Sequence, residues 1–201
     1  MSLLRNGSGP PVVFAHGAGA GMDTPFMAFA AESLAAAGFE VVRFEFPYMN
    51  RRRQHGRRGP PDRMPVLEAT MRDVAAEVGG PVILGGKSMG ARVATRLADE
   101  LKASAAFAFG YPFHPPKKPS TLRTAHLQAL QTPTLIVQGD RDPFGTPDEV
   151  SGYALSPSIR VHWLPDGDHS FKPRKASGYS EREHWQTALD RLVEFLTVTL
   201  R

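Results

Sequence analysis

Ser88 lies in Gly86-Lys87-Ser88-Met89-Gly90, after the apolar run Val82-Ile83-Leu84 and before a helix-forming stretch that begins at Ala91. A serine in this setting could act as a nucleophile. Strand, tight turn and helix in succession would hold its hydroxyl clear of a sheet, above the N-terminus of the next helix. Glycines two residues to either side remove Cβ atoms that would collide in so sharp a turn, and the serine itself must take a strained backbone conformation. The backbone N–H of Met89 would then point at any oxyanion formed there. A serine hydroxyl is a poor nucleophile at neutral pH, so this chemistry needs a base within hydrogen-bond reach.

The elements that must position such groups follow from apolar periodicity. Residues 11–16 read as a short strand that enters the glycine-rich loop Gly17-Ala18-Gly19-Ala20-Gly21. Thr24 and Pro25 read as the cap and first residue of a helix closed by Gly38. A second strand spans 39–46, and an arginine-rich loop follows over 47–61. Helical spacing recurs over 63–78, and again after Ser88, where Val93, Ala94, Leu97 and Leu101 share a face. Strands are expected at 105–109, 134–138 and 159–164. Short helices are expected at 123–130 and 147–155, and a closing helix at 181–200. Continuous apolar strands alternating with helices predict an α/β fold, a three-layer sandwich around a mostly parallel sheet of about six strands. Ligands of such sheets bind at the C-terminal strand ends.

With 201 residues and no internal repeat, the chain is expected to form a single domain over 1–201. There is no cysteine, which excludes disulfides and thiolate metal sites. No apolar run approaches the roughly 18 residues of a membrane span, and the expectation is a cytoplasmic protein without membrane contact. The net charge of +4 is concentrated in one place. Between residues 43 and 63, Arg43, Arg51, Arg52, Arg53, Arg57, Arg58 and Arg63 face only Glu45 and Asp62, leaving the rest of the chain near neutrality.

Over nearly its whole length the chain resembles the α/β-hydrolase superfamily. Gly86-Lys-Ser88-Met-Gly90 matches its strand–serine–helix turn, and the superfamily's triad runs in the order Ser, acid, His. The resemblance implies Asp142, in Gly139-Asp-Arg-Asp142-Pro after the fifth expected strand, as the acid, favoured over Asp140. It implies His169, in Gly167-Asp-His169, as the base. His16-Gly17 with its small neighbours looks like the oxyanion loop, which would add the N–H of Ala18 to that of Met89. Two departures matter. Too few residues precede the His-Gly strand for the superfamily's N-terminal β-ribbon, so a minimal fold lacking it is expected. The interval 110–132 leaves room for a short lid-like segment but no bulky cap. Phe44-Glu-Phe-Pro-Tyr48, the arginine-rich loop and Gly110-Tyr-Pro-Phe-His114-Pro-Pro are similar to a branch of small bacterial hydrolases. That branch is similar in turn to the hydrolase-like domain of a subunit of an animal histone-acetyltransferase (NSL) complex.

What the resemblance implies is a carboxylesterase-like serine hydrolase that cleaves an ester, thioester or related acyl bond of a small substrate without a cofactor. His169 would take the proton of Ser88, and Asp142 would hold the imidazole. Tyr48, Arg51, Arg52 and His114 are candidates for substrate binding, because guanidinium forks suit a carboxylate or phosphate. The alternative is a non-catalytic module of the same fold whose basic loop docks an acidic partner. Nucleic acid is disfavoured, since that loop lacks interleaved aromatics beyond Tyr48. His16 is expected to brace its loop, and His184 to be solvated. Lys87 can pair with an acidic group or face the sheet edge. No His/Asp/Glu set has metal-ligand spacing, so no metal is expected. Oligomeric state is not encoded in any of these features.

Overall fold

The computed structural model describes residues 2–56 and 59–201; Met1 and two arginines of the basic stretch, Arg57 and Arg58, lie outside the described residues. Seven strands build the sheet: β1 (Leu3–Asn6), β2 (Pro11–Ala15), β3 (Glu40–Phe44), β4 (Ile83–Lys87), β5 (Ala105–Phe109), β6 (Thr134–Gly139) and β7 (Ile159–Leu164). Their spatial order is β1-β3-β2-β4-β5-β6-β7. Strands β2 to β7 are parallel, whereas β1 pairs antiparallel with β3. The sheet thus has one strand more than its apolar runs announce. In place of a ribbon, Leu3–Asn6 supplies a single antiparallel edge strand.

Side chains alternate between the two faces, as a strand's period of two requires. Val12 and Phe14 of β2, with Phe107 and Phe109 of β5, pack on the face covered by α1 (Pro25–Ala36) and α6 (Glu181–Thr199). Val13 and Ala15, with Ala106 and Ala108, pack on the opposite face, under α3 (Met64–Val78) and α4 (Met89–Leu97). Burial on both faces explains why the strands read as continuous apolar runs. The chain leaves β2 toward β3 and then returns past β2 to β4. Strand order therefore reverses beside β4, and Ser88 stands at the end of that strand.

One expectation is corrected. Over the stretch read as a loop at 47–61, Pro47–His55 form a helix, α2. Its signals are local: Pro47 at the first turn, Arg52, Arg53 and His55 in the last, and Gly56 left-handed at φ 66°. A distant carboxylate completes it, since Asp62 Oδ2 accepts from the Tyr48 N–H at 2.7 Å. The interval 110–132 is irregular apart from a 3-10 turn at Ala125–Gln128, and α5 is short (Pro147–Ser151). No helix among the described residues is long and apolar enough to cross a membrane.

Candidate active site

Between β4 and α4 the backbone turns so sharply that Ser88 adopts φ 52°, ψ −109°, a conformation costing about 1–3 kcal/mol. The flanking glycines make it possible. A Cβ on Gly86 would overlap the backbone of Gly90 and Ala91, and one on Gly90 would sit 2.5 Å from the Ala15 carbonyl oxygen. The second contact matters beyond the turn, because it lets the start of α4 press against the chain just before the Gly17–Gly21 loop. The Ser88 N–H is fixed by the Phe109 carbonyl at 2.9 Å, which leaves the hydroxyl free to face outward.

His169 reaches Ser88 from the segment after β7. Its Nε2 lies 2.9 Å from Ser88 Oγ, and its Nδ1 lies 2.7 Å from Asp142 Oδ2. With Nδ1–H donated to the carboxylate, Nε2 carries the lone pair that faces the serine hydroxyl. Burial pushes the imidazole below its ordinary 6.5, opposed by the bond to Asp142 and reinforced by the charge of Lys87. His169 is therefore the free base at neutral pH. Phe144 stacks on the ring with centroids 4.2 Å apart, restricting its rotation. The turn that carries it is tied down by Asp168 Oδ1, which accepts from the N–H groups of Ser170 and Lys172.

Asp142, and not Asp140, is the acid against His169. It is fully buried, and its two oxygens accept from Gln138 Nε2 at 2.8 Å and the Phe144 N–H at 2.9 Å. Gln138 is itself buried, with Oε1 accepting from the Tyr111 N–H at 2.6 Å. Nothing in the sequence singled it out: a glutamine at the end of an apolar strand carries no motif, although a polar residue there had to be satisfied somehow.

The loop of residues 17–21 is held by its carbonyls. His16 Nε2 accepts from the Phe46 N–H at 3.1 Å, so the ring's proton sits on Nδ1 and is donated to the Gly17 carbonyl at 2.7 Å. Burial keeps that ring neutral. The Tyr48 hydroxyl lies 3.1 Å from the Gly17 carbonyl and 3.0 Å from that of Ala18, and Arg52 donates to the Gly19 carbonyl at 3.0 Å. With the carbonyls turned toward these groups, the N–H groups of Ala18 and Met89 have no acceptor among the described residues. Ala18 and Met89 both line the smaller of the clefts at Ser88.

Several candidates from the sequence thus serve the loop and the helix instead of facing Ser88. Tyr48 is buried, and its hydroxyl is pushed further from ionisation by that burial. Arg51 pairs with Asp62, and Arg53 bridges Glu45 and Asp23. His114 is buried, donating from Nδ1 to the Pro115 carbonyl, with Nε2 3.4 Å from Glu149. His184, expected in solvent, is also buried and donates to the Phe171 carbonyl at 2.8 Å, because the turn after His169 folds down onto α6. Lys87 neither pairs with a carboxylate nor faces the sheet edge. Its ammonium donates to the His169 carbonyl and lies 5.0 Å from the Phe171 ring centroid, and desolvation pushes it down to about 8.

Two clefts meet at Ser88, Ala18 and Phe144. One, of 690 Å³, is walled by Phe26, Met27 and Trp185; the other, of 340 Å³, by Met89, Pro112, Arg92 and Arg123. Tyr48, Arg51 and Arg52 line a third cleft, which borders the smaller one through Pro61 and Asp62 and does not include Ser88. No group of three or more His, Asp or Glu that could hold a metal occurs among the described residues.

Solved structures with the same fold are similar to this one over nearly its whole length. XC6422 from Xanthomonas campestris, described as a serine hydrolase without a lid, is 21% identical with a TM-score of 0.71, covering 97% of this chain and 87% of its own. Dienelactone hydrolase from Anabaena variabilis is 22% identical with a TM-score of 0.70, covering 97% and 91%. The monoacylglycerol lipase of Paleococcus ferrophilus is 15% identical with a TM-score of 0.72, covering 96% and 98%. The profile of a family described as "Alpha/beta hydrolase domain" matches residues 9–197. The chain belongs to that alpha/beta hydrolase family.

Proposed function

We propose that this protein is a serine hydrolase, carboxylesterase-like, which cleaves an ester, thioester or related acyl bond of a small substrate through an acyl-enzyme. The observation that carries the reading is the unbroken relay Ser88 Oγ–His169 Nε2, His169 Nδ1–Asp142, set beside two unengaged backbone N–H groups. In this reading Ser88 Oγ bonds to the acyl carbon while its proton passes to His169 Nε2. The carbonyl π electrons move onto the oxygen facing Ala18 and Met89. Collapse re-forms the carbonyl and breaks the bond to the alcohol or thiol, which leaves with the proton from His169. Water then repeats the sequence on the acyl-enzyme, releasing the acid and regenerating Ser88. Residues 1–201 act as one domain in this reading, with 110–132 as a short border to the smaller cleft through Pro112 and Arg123.

The reading of the basic stretch as a dock for an acidic partner loses support from the ion pairs of Arg51 and Arg53. The similar structures include a dienelactone hydrolase and a monoacylglycerol lipase, which agrees with acyl chemistry without choosing a substrate. Labelling with a fluorophosphonate, followed by peptide mapping with Ser88→Ala as control, tests the proposal. Stoichiometric modification at Ser88 is expected. A folded sample that resists both small and large fluorophosphonates would overturn it.

A further inference from the structure

Arg51, Arg52 and Arg53, prominent in the sequence, are engaged, while two arginines that it did not mark are not. Arg92 lies one turn into α4 from Ser88, and Arg123 lies in the irregular stretch after β5. Both line the smaller cleft with Ser88 and Met89. Neither guanidinium forms an ion pair or donates a hydrogen bond to any described residue. Every side-chain bond in that neighbourhood belongs to others: Arg96 pairs with Glu68, and the Tyr111 hydroxyl uses the Arg123 carbonyl.

Arg92 Nε is moreover buried without a partner. An orphaned N–H of this kind is uncommon in a folded protein and calls for a reason. Burial pulls Arg92 below its ordinary value, and the neighbouring charges of Arg123 and Arg96 pull in the same direction. Tyr111 and Glu68 act against them, and what joins Arg92 to Arg123 is the one cleft that both line. The only carboxylate lining this cleft among the described residues, Asp62, is occupied by Arg51 and the Tyr48 N–H. The larger cleft at Ser88 has Phe26, Met27, Phe144 and Trp185 in its walls, with Glu181 also lining it.

Resting on the serine-hydrolase reading, we propose that the substrate carries an oxyanion, a carboxylate or phosphate, which Arg92 and Arg123 hold in the smaller cleft beside the reacting bond. Guanidinium forks match both groups bidentately. An oxyanion between the two guanidiniums supplies the counter-charge that neither has among the described residues. The apolar remainder of the substrate occupies the cleft of Phe26 and Trp185.

The test compares charged and neutral esters of matched size. One pair places the anion on the acyl half (4-nitrophenyl hemiglutarate against 4-nitrophenyl valerate). The other places it on the leaving group (4-acetoxybenzoate against 4-acetoxybenzamide). The ratio of kcat/KM, charged over neutral, is expected to favour the charged ester in at least one pair. Arg92→Gln and Arg123→Gln should each lower that ratio about ten-fold or more, the scale of a charge-assisted hydrogen bond. Arg92→Lys should recover part of it. Competition by glutarate and by inorganic phosphate identifies the anion. No preference in either pair, or equal losses on charged and neutral esters, overturns the proposal.

Failure of hydrolysis altogether would count against the proposed function alone, so a binding measurement stands beside it. Calorimetric titration of Ser88→Ala with glutarate and with phosphate should show uptake of one of them that Arg92→Gln abolishes. Uptake of neither overturns the anion site whether or not the protein turns over esters.

Discussion

Tyr48→Phe separates two roles for one residue. The tyrosine hydroxyl has a single proton, shared between the carbonyls of Gly17 and Ala18 at 3.1 and 3.0 Å. Its removal therefore deletes one donor, not two, and should lower stability by about 1 kcal/mol in urea unfolding. The Ala18 N–H is not removed but loses the brace that aims it. Loss of a whole oxyanion donor costs roughly 2.7–4 kcal/mol. A donor that stays in place but is loosened should forfeit about a quarter to a third of that, roughly 1 kcal/mol, or about five-fold in kcat. Because the buried ring touches no part of the two clefts at Ser88, KM should stay within about two-fold. Steady-state kinetics on 4-nitrophenyl butyrate reads both numbers. A KM raised with kcat unchanged would place Tyr48 on the substrate and refute the brace.

Gln138→Leu should lower stability by about 3–5 kcal/mol, since it strands the buried Tyr111 N–H and removes a donor from Asp142; a loss under about 1 kcal/mol in urea unfolding would show that water replaces it. Gly90→Ala should cost about 3 kcal/mol or more in a thermal melt, because the new methyl meets the backbone of Ala15 and His16, which cannot rotate away. A near-native melt would mean that the turn is more yielding than its geometry. The acid limb of kcat/KM should lie below pH 6.5, since burial lowers His169 and activity is lost as pH falls through its folded value. Lys87→Met removes a charge that also lowers His169, so the limb should move to higher pH; a limb that stays put would show that the ammonium does not reach the imidazole.

Much of this architecture is written in local pattern. The apolar runs of β2, β4, β5 and β6 are unmistakable because both faces of a parallel sheet are buried, and the glycines around Ser88 are steric necessities of one turn. Strand β1 escaped because Leu3–Asn6 is a four-residue, half-buried edge whose pairing with β3 is a long-range choice. Helix α2 escaped for a different reason. Its composition resembles a solvated loop, and its start depends on Asp62, which lies beyond the helix it caps. The relay of Ser88, His169 and Asp142 could be anticipated from strand ends, but its supports could not. Gln138, the carbonyl side of residues 17–19 and the idle forks of Arg92 and Arg123 are properties of contacts between distant segments. In the sequence Arg51 and Arg52 looked more available than Arg92. What distinguishes them is the Asp62 carboxylate that engages Arg51 and the Gly19 carbonyl that engages Arg52.

His184 gives the closing helix an office beyond covering the sheet. Through its bond to the Phe171 carbonyl it fastens the turn that presents His169, and its neighbour Trp185 forms a wall of the larger cleft. Helix α6 touches β5, β6, β7 and α1, and buries Leu189, Leu192, Phe195 and Leu196 in the core on that face. Loosening of this one helix would misplace the imidazole and open the cleft. On the proposed function, ester turnover would accordingly report how firmly this helix is docked. On the ribosome the same arrangement delays competence, because the fastening residue is translated after every strand has been made.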